Sequence, residues 1–247
     1  MAANAGLAIT LAASKRAQTK RRMMRNSEKG LHPMGKLATG QPNADPGWRW
    51  VSERGLRVAT GATTLERYLF LVSQNLPEVE DLIPSDDSIL LILHRGAPLS
   101  EALRAALGAP LADAAIQPGR QHDIAVEYGG AAGPDLPGLA RRAGLSVADC
   151  IERHAATEYT VAFLGFQPGF PYLRGLPDVL CAPRRATPRV RVAAGSVAIG
   201  GAYCGIYPAA GPGGWHLIGR AAIVLFDPAR VAPALLMPGD RVRFVPA

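Results

Sequence analysis

The chain predicts an α+β protein in two parts, a small mixed unit followed by a β-barrel, and three features carry that reading. Apolar residues recur at helical spacing only in short segments. From Tyr159 onward the sequence offers short strands separated by turn signals, the pattern of a closed or nearly closed barrel. Between the parts, Gln117-Pro118-Gly119-Arg120 reads as a linker. At 247 residues and 48% hydrophobic, the chain has enough apolar side chain for one large domain or two small ones.

Residues 1–46 carry eight basic side chains against Glu28 and Asp45, and all four lysines of the chain lie there. With few large apolar residues, this stretch is expected to be a disordered basic extension, with Met23, Met24 and Met34 as alternative starts; the competing reading is an arm for an acidic partner. Its apolar run, Gly6 to Ala13, has its charges after it rather than before, which does not fit a secretory signal. No run approaches the about 20 apolar residues that span a bilayer.

The small unit is expected at 47–116. Trp48 to Thr60 reads as a strand region ended by Gly61, and Thr63 or Thr64 then caps a helix to about Asn75, with Leu65, Leu69 and Val72 on one face. Val79 to Ile83 and Ser88 to Leu93 read as strands around Pro84-Ser85-Asp86-Asp87, followed by a helix from about Ser100 to Leu107. The barrel is expected at 117–247. His122 to Tyr128 alternates as a strand, and Asp135 to Ala143 and Val147 to His154 read as short helices. The second carries Ser146 and Asp149 in capping-box spacing, with Asp in place of Glu. Tyr159 to Leu164 is a strongly apolar strand; Pro238-Gly239-Asp240 is a turn into the alternating strand Arg241 to Val245.

Net charge is +7, but beyond residue 46 the chain holds 19 basic and 18 acidic side chains, so nucleic-acid and membrane binding are not expected. Cys150, Cys181 and Cys204 are odd in number and widely spaced, which points to a reducing, cytoplasmic location without a disulfide framework. His32, His94, His122, His154 and His216 show no metal-binding spacing, and no metal site is expected.

Chemistry concentrates between Gly165 and Arg220, where Pro and Gly specify loops rather than helices. Arg184, Arg185, Arg189 and Arg191 fall within eight residues, and guanidinium groups match a carboxylate or phosphate; the alternative is a solvated strand edge. Gly213-Gly214-Trp215-His216 joins anion-holding backbone amides, a flat ring and a titratable imidazole, or is simply a tight turn with a core plug. Phe166, Phe170 and Tyr172 are candidates to line a pocket with Gln167 as its polar contact, or to close the barrel. Ser196 lies outside G-x-S-x-G and is read as satisfying a barrel turn rather than as a nucleophile. No GxxxxGK[ST] or GxGxxG is present, so no nucleotide motif is assigned to this chain.

Gly165 to Tyr172 (GFQPGFPY), Ala182 to Arg189 (APRRATPR), Ala194 to Ile199 (AGSVAI) and Pro212 to Arg220 (PGGWHLIGR), with Leu225 to Pro228 and Pro238 to Pro246, closely resemble the words of the carboxyltransferase C/D-type family. That family includes allophanate hydrolase subunit 1, KipI-like and 5-oxoprolinase B-subunit proteins. The resemblance runs from about residue 120 to the C-terminus; the small unit lacks a clear version of the family's opening G-D-x-A-L-x-V-x-F pattern. It implies a small α+β domain followed by a cyclophilin-like barrel, and anion binding by Arg184 and Arg189. It further implies a subunit, inactive alone, of a cytoplasmic ATP-dependent 5-oxoprolinase that turns 5-oxo-L-proline into L-glutamate with KipA-like and LamB/YcsF-like partners. ATP would be used by the complex. Two other roles follow from the resemblance: inhibition of a sensor histidine kinase, and a component of allophanate or urea carboxyl transfer. The latter needs a biotin carrier, and no Met-Lys-Met word occurs.

Overall fold

The computed structural model describes residues 47–111 and 119–247. The expected N-terminal extension and part of the linker lie outside these residues. The described chain forms two compact units, one on either side of residues 112–118, with Pro228–Pro233 grouped with the first.

In the first unit, β1 (Trp48–Trp50), β2 (Gly55–Ala59), β3 (Val79–Pro84) and β4 (Ser88–Leu93) form an antiparallel sheet in the order β1-β2-β4-β3. The region read as one strand is a hairpin. Ser52 Oγ accepts the Gly55 amide at 2.8 Å and the Val51 amide donates to the Gly55 carbonyl at 2.8 Å, which turns the chain between β1 and β2. Along β2, Leu56 and Val58 are buried while Arg57 is exposed, the alternation of a sheet with one covered face. Helix α1 (Thr64–Gln74) ends at Asn75 in the left-handed region, and α2 (Glu101–Gly108) starts at Ser100, whose Oγ accepts the Leu103 amide at 3.0 Å. Tyr68, Leu71 and Leu103 from the helices pack with Leu56, Ile89 and Leu91 from the sheet.

The second unit is a closed seven-stranded barrel. Its strands are β5 (Gln121–Tyr128), β6 (Glu158–Leu164), β7 (Pro171–Arg174), β9 (Ser196–Gly200), β10 (Tyr203–Ile206), β12 (His216–Arg220) and β13 (Arg241–Pro246), in the order β10-β7-β6-β13-β5-β12-β9. All neighbours are antiparallel except β13 and β5. A separate ribbon pairs β8 (Arg189–Val192) with β11 (Gly211–Gly213). Two helices, α3 (Leu136–Ala143) and α4 (Val147–Ala155), intervene between β5 and β6. At α4 the Ser146 Oγ accepts the Asp149 amide at 3.0 Å and the Asp149 carboxylate accepts the Ser146 amide at 3.3 Å, so the shorter Asp closes the box. Buried Asp240 accepts the Arg120 and Met237 amides, both at 2.9 Å, and so fixes the turn into β13. Val126, Tyr159, Val161, Val197, Ile199 and Phe244 are among the fully covered residues of the core. Among the described residues no helix is long and apolar enough to cross a membrane.

Candidate functional site

A cavity of about 90 Å³ opens on the barrel unit where four Gly/Pro-rich stretches meet. The β6–β7 loop supplies Phe166, Phe170 and Tyr172; Arg184 and Tyr207 come from the segments after β7 and β10. Gly213, Gly214 and Trp215 complete the wall. Phe170 is its buried centre, with edge-to-face contacts to Tyr172 and Tyr207 at 5.2 Å and to Trp215 at 5.4 Å. Close approach explains the glycines. A Cβ on Gly200 would stand 2.5 Å from the Trp215 ring, and one on Gly213 would stand 2.2 Å from the Tyr207 hydroxyl.

The strap 183–189 carries the arginines and is tied down on both sides of Arg184. The Arg185 amide donates to the Gly214 carbonyl at 2.7 Å, and His216 Nε2 donates to the Pro183 carbonyl at 2.9 Å. Asp135, just ahead of α3, takes Arg185 at 2.9 Å, grips Arg189 in a two-pronged pair at 2.8 and 2.9 Å, and accepts the Leu217 amide at 2.8 Å. Burial would raise the Asp135 pKa, but the Arg189 hydrogen bond, the Leu217 amide and the two guanidinium charges outweigh it and hold the carboxyl below its usual range. Arg184 alone in this strap faces the cavity, and among the described residues it makes no hydrogen bond or ion pair. Burial raises the Tyr172 and Tyr207 phenols, and the Arg184 charge opposes both shifts.

Of the residues singled out in the sequence, Arg184, Gly213, Gly214, Trp215, Phe166, Phe170 and Tyr172 meet at one cavity. Arg189 does not line it, because Asp135 occupies its guanidinium. His216 holds the strap rather than facing the cavity. Ser196 is buried on β9, opposite Arg220. Gln167 turns its amide nitrogen toward Gly211, and its buried carbonyl oxygen has no partner. Two participants went unread. Tyr207 sits ahead of Pro208 in a Gly/Pro-rich stretch, a weak signal; Asp135 acts across about 50 residues of sequence and has none.

A second polar group lies inside the barrel. His154 is buried, with Nδ1 at 2.7 Å from the Tyr128 hydroxyl and Nε2 at 3.2 Å from Cys204 Sγ. Burial lowers the imidazole to about 3 and pushes the Cys204 thiol and Tyr128 phenol upward, so all three are neutral. A fully covered, protonated thiol is inert, and this trio is packing with matched hydrogen bonds rather than a nucleophilic dyad.

The model of the carboxyltransferase domain, subdomain C and D, matches residues 52–236. The chain belongs to this family. Every residue at the cavity falls within the matched range. Among related carboxyltransferase C/D proteins, the 5-oxoprolinase B-subunit of Escherichia coli O157:H7 is 50% identical over 174 residues, covering 70% of this chain and 80% of that one. The protein of the same name from Haemophilus influenzae is 51% identical over 127 residues, which is 51% of this chain and 60% of its own length. The crystal structure of TTHA0988 superposes with a TM-score of 0.67 at 36% identity, covering 78% of this chain but 40% of that longer one.

Proposed function

We propose that this chain is the B-subunit of a cytoplasmic, ATP-dependent 5-oxoprolinase, inactive alone and working with KipA-like and LamB/YcsF-like partners. The observation that carries this reading is its 50% identity with the 5-oxoprolinase B-subunit of Escherichia coli O157:H7. In the reaction, water adds to the lactam carbonyl, the C–N bond breaks and the nitrogen takes a proton, giving L-glutamate. Arg184, the uncompensated cation of the cavity, receives the substrate carboxylate, while the aromatic walls take the ring and exclude water. Gly214 lets the ligand approach the backbone closely, whereas the space beside Gly213 is taken by the Tyr207 hydroxyl. The about 90 Å³ cavity does not fit a nucleotide, being well below the about 300–1,000 Å³ of sites for larger ligands, so ATP is assigned to the assembled enzyme.

The test is co-expression with the two partner types and measurement of glutamate formed and of ATP hydrolysis that depends on added 5-oxo-L-proline, with this chain present and omitted. Product only in its presence is the expected result; a well-assembled complex that makes none overturns the reading. Arg184→Ala is expected to lower turnover about tenfold or more with assembly intact, the scale of a lost hydrogen bond to a charged group.

A further inference from the structure

We infer that Phe166 selects ring-shaped acids, its side chain covering one face of a small, flat, monoanionic ring whose charge Arg184 holds. This rests on the reading of the cavity as an acid site and adds the group that reads the ligand's shape. Phe166 has φ of 59°, one of two non-glycine residues with positive φ among the described residues. The Gln167 amide donates to the Gly165 carbonyl at 2.6 Å, so Phe166 is the apex of a γ-turn of the rare, strained hand. Flanking bonds, from the Gly165 amide to the Phe170 carbonyl at 3.1 Å and from the Phe170 amide to the Gln167 carbonyl at 3.0 Å, hold the turn in place.

What the strain achieves is the display of an apolar ring at the cavity mouth. Phe166 is 58% exposed, whereas Phe170, four residues on in the same loop, is 1% exposed. A ring needed only for packing gains nothing from this placement, since the loop already buries one. Phe166 stands perpendicular to Phe170 and Tyr207, with ring centroids 5.5 and 6.1 Å apart, and more than half of its surface stays uncovered and able to lie against a ligand. The chemistry that fits is one carboxylate for Arg184 and a compact ring with an apolar face for Phe166, in a space too small for anything much larger.

The test uses the full chain and two probes of one charge and nearly equal size, cyclopentanecarboxylate and open-chain pentanoate, with dissociation constants from ligand-observed NMR. The wild-type chain is expected to prefer the cyclic acid, and Phe166→Gly to weaken its binding up to about tenfold and erase the preference. Glycine adopts positive φ without strain, so the variant's melting temperature should stay within about 4 °C of wild type. A preference that survives in Phe166→Gly, or a melting temperature that falls by more than about 10 °C as for a buried plug, overturns the inference. Arg184→Ala separates the two readings. If it weakens both acids while Phe166→Gly changes nothing, only the role of Phe166 fails; if it changes neither, or the wild-type chain binds neither, the acid site itself fails.

Discussion

Acidification should destabilise the barrel through His154 by an amount that can be worked out. Folded, its imidazole titrates at about 3 because burial opposes the charge, against 6.5 for an ordinary histidine. Between these values the unfolded chain binds a proton that the folded chain does not, and stability rises with pH wherever that holds. The contribution is therefore fully present above about 6.5 and is lost as pH falls toward 3. From about pH 7 to about pH 5 the loss is about 2 kcal/mol, and near pH 3 it approaches about 4 kcal/mol, at about 1.4 kcal/mol per unit of pKa difference. Among the described residues no carboxylate pairs with the ring; its neighbours are the Tyr128 hydroxyl, the Cys204 thiol and the rings of Tyr159 and Phe244. Urea unfolding of wild type and His154→Gln at both pH values isolates the effect from other titrating groups. The stability advantage of wild type over the variant should shrink by about 2 kcal/mol at the lower pH. An advantage equal at both pH values would refute the reasoning, as would ring carbon shifts that show His154 protonated at about pH 5.

Two further outcomes follow from the strap and the cavity wall. Asp135→Asn leaves Arg185 and Arg189 without their shared carboxylate and should cost about 3 kcal/mol in urea unfolding, with acid binding at Arg184 weakened as the strap loosens. Asp135→Glu should not rescue it, because the added methylene displaces the carboxylate from Arg185, Arg189 and the Leu217 amide. Gly213→Ala places a Cβ 2.2 Å from the Tyr207 hydroxyl, which must move away from the Trp215 amide; a loss of about 1–3 kcal/mol and of acid binding is expected, read by thermal melting and NMR titration.

Local signals were legible and long-range ones were not. The Ser146–Asp149 box and the apolar run into Leu164 depend on neighbours in sequence, and the structure places them where those neighbours predict. Short strands divided by turns foretold a barrel, although which strands pair is set by contacts across the chain. At Trp48 to Thr60 the turn lies in Ser52-Glu53-Arg54-Gly55, polar and ending in glycine, and alternation on either side hid it within one strand. The cavity residues were visible because Gly and Pro mark their loops. Which arginine is free was not, for that depends on Asp135 arriving from another element. In the sequence His154 shows only its lack of metal-binding spacing; the barrel closing over α4 makes it a core residue.

The parallel seam between β5 and β13 has a kinetic side. Both partners of β5 in the barrel come late, β12 after roughly 90 residues and β13 after about 120, and the pairing spans nearly the whole unit. During synthesis β5 waits with two bare edges while the residues between it and its two partners are made. Contacts so distant in sequence slow folding, and waiting edges invite pairing with other chains. The barrel therefore cannot close until residues 241–246 emerge, and until then β5 is the edge most open to a wrong partner.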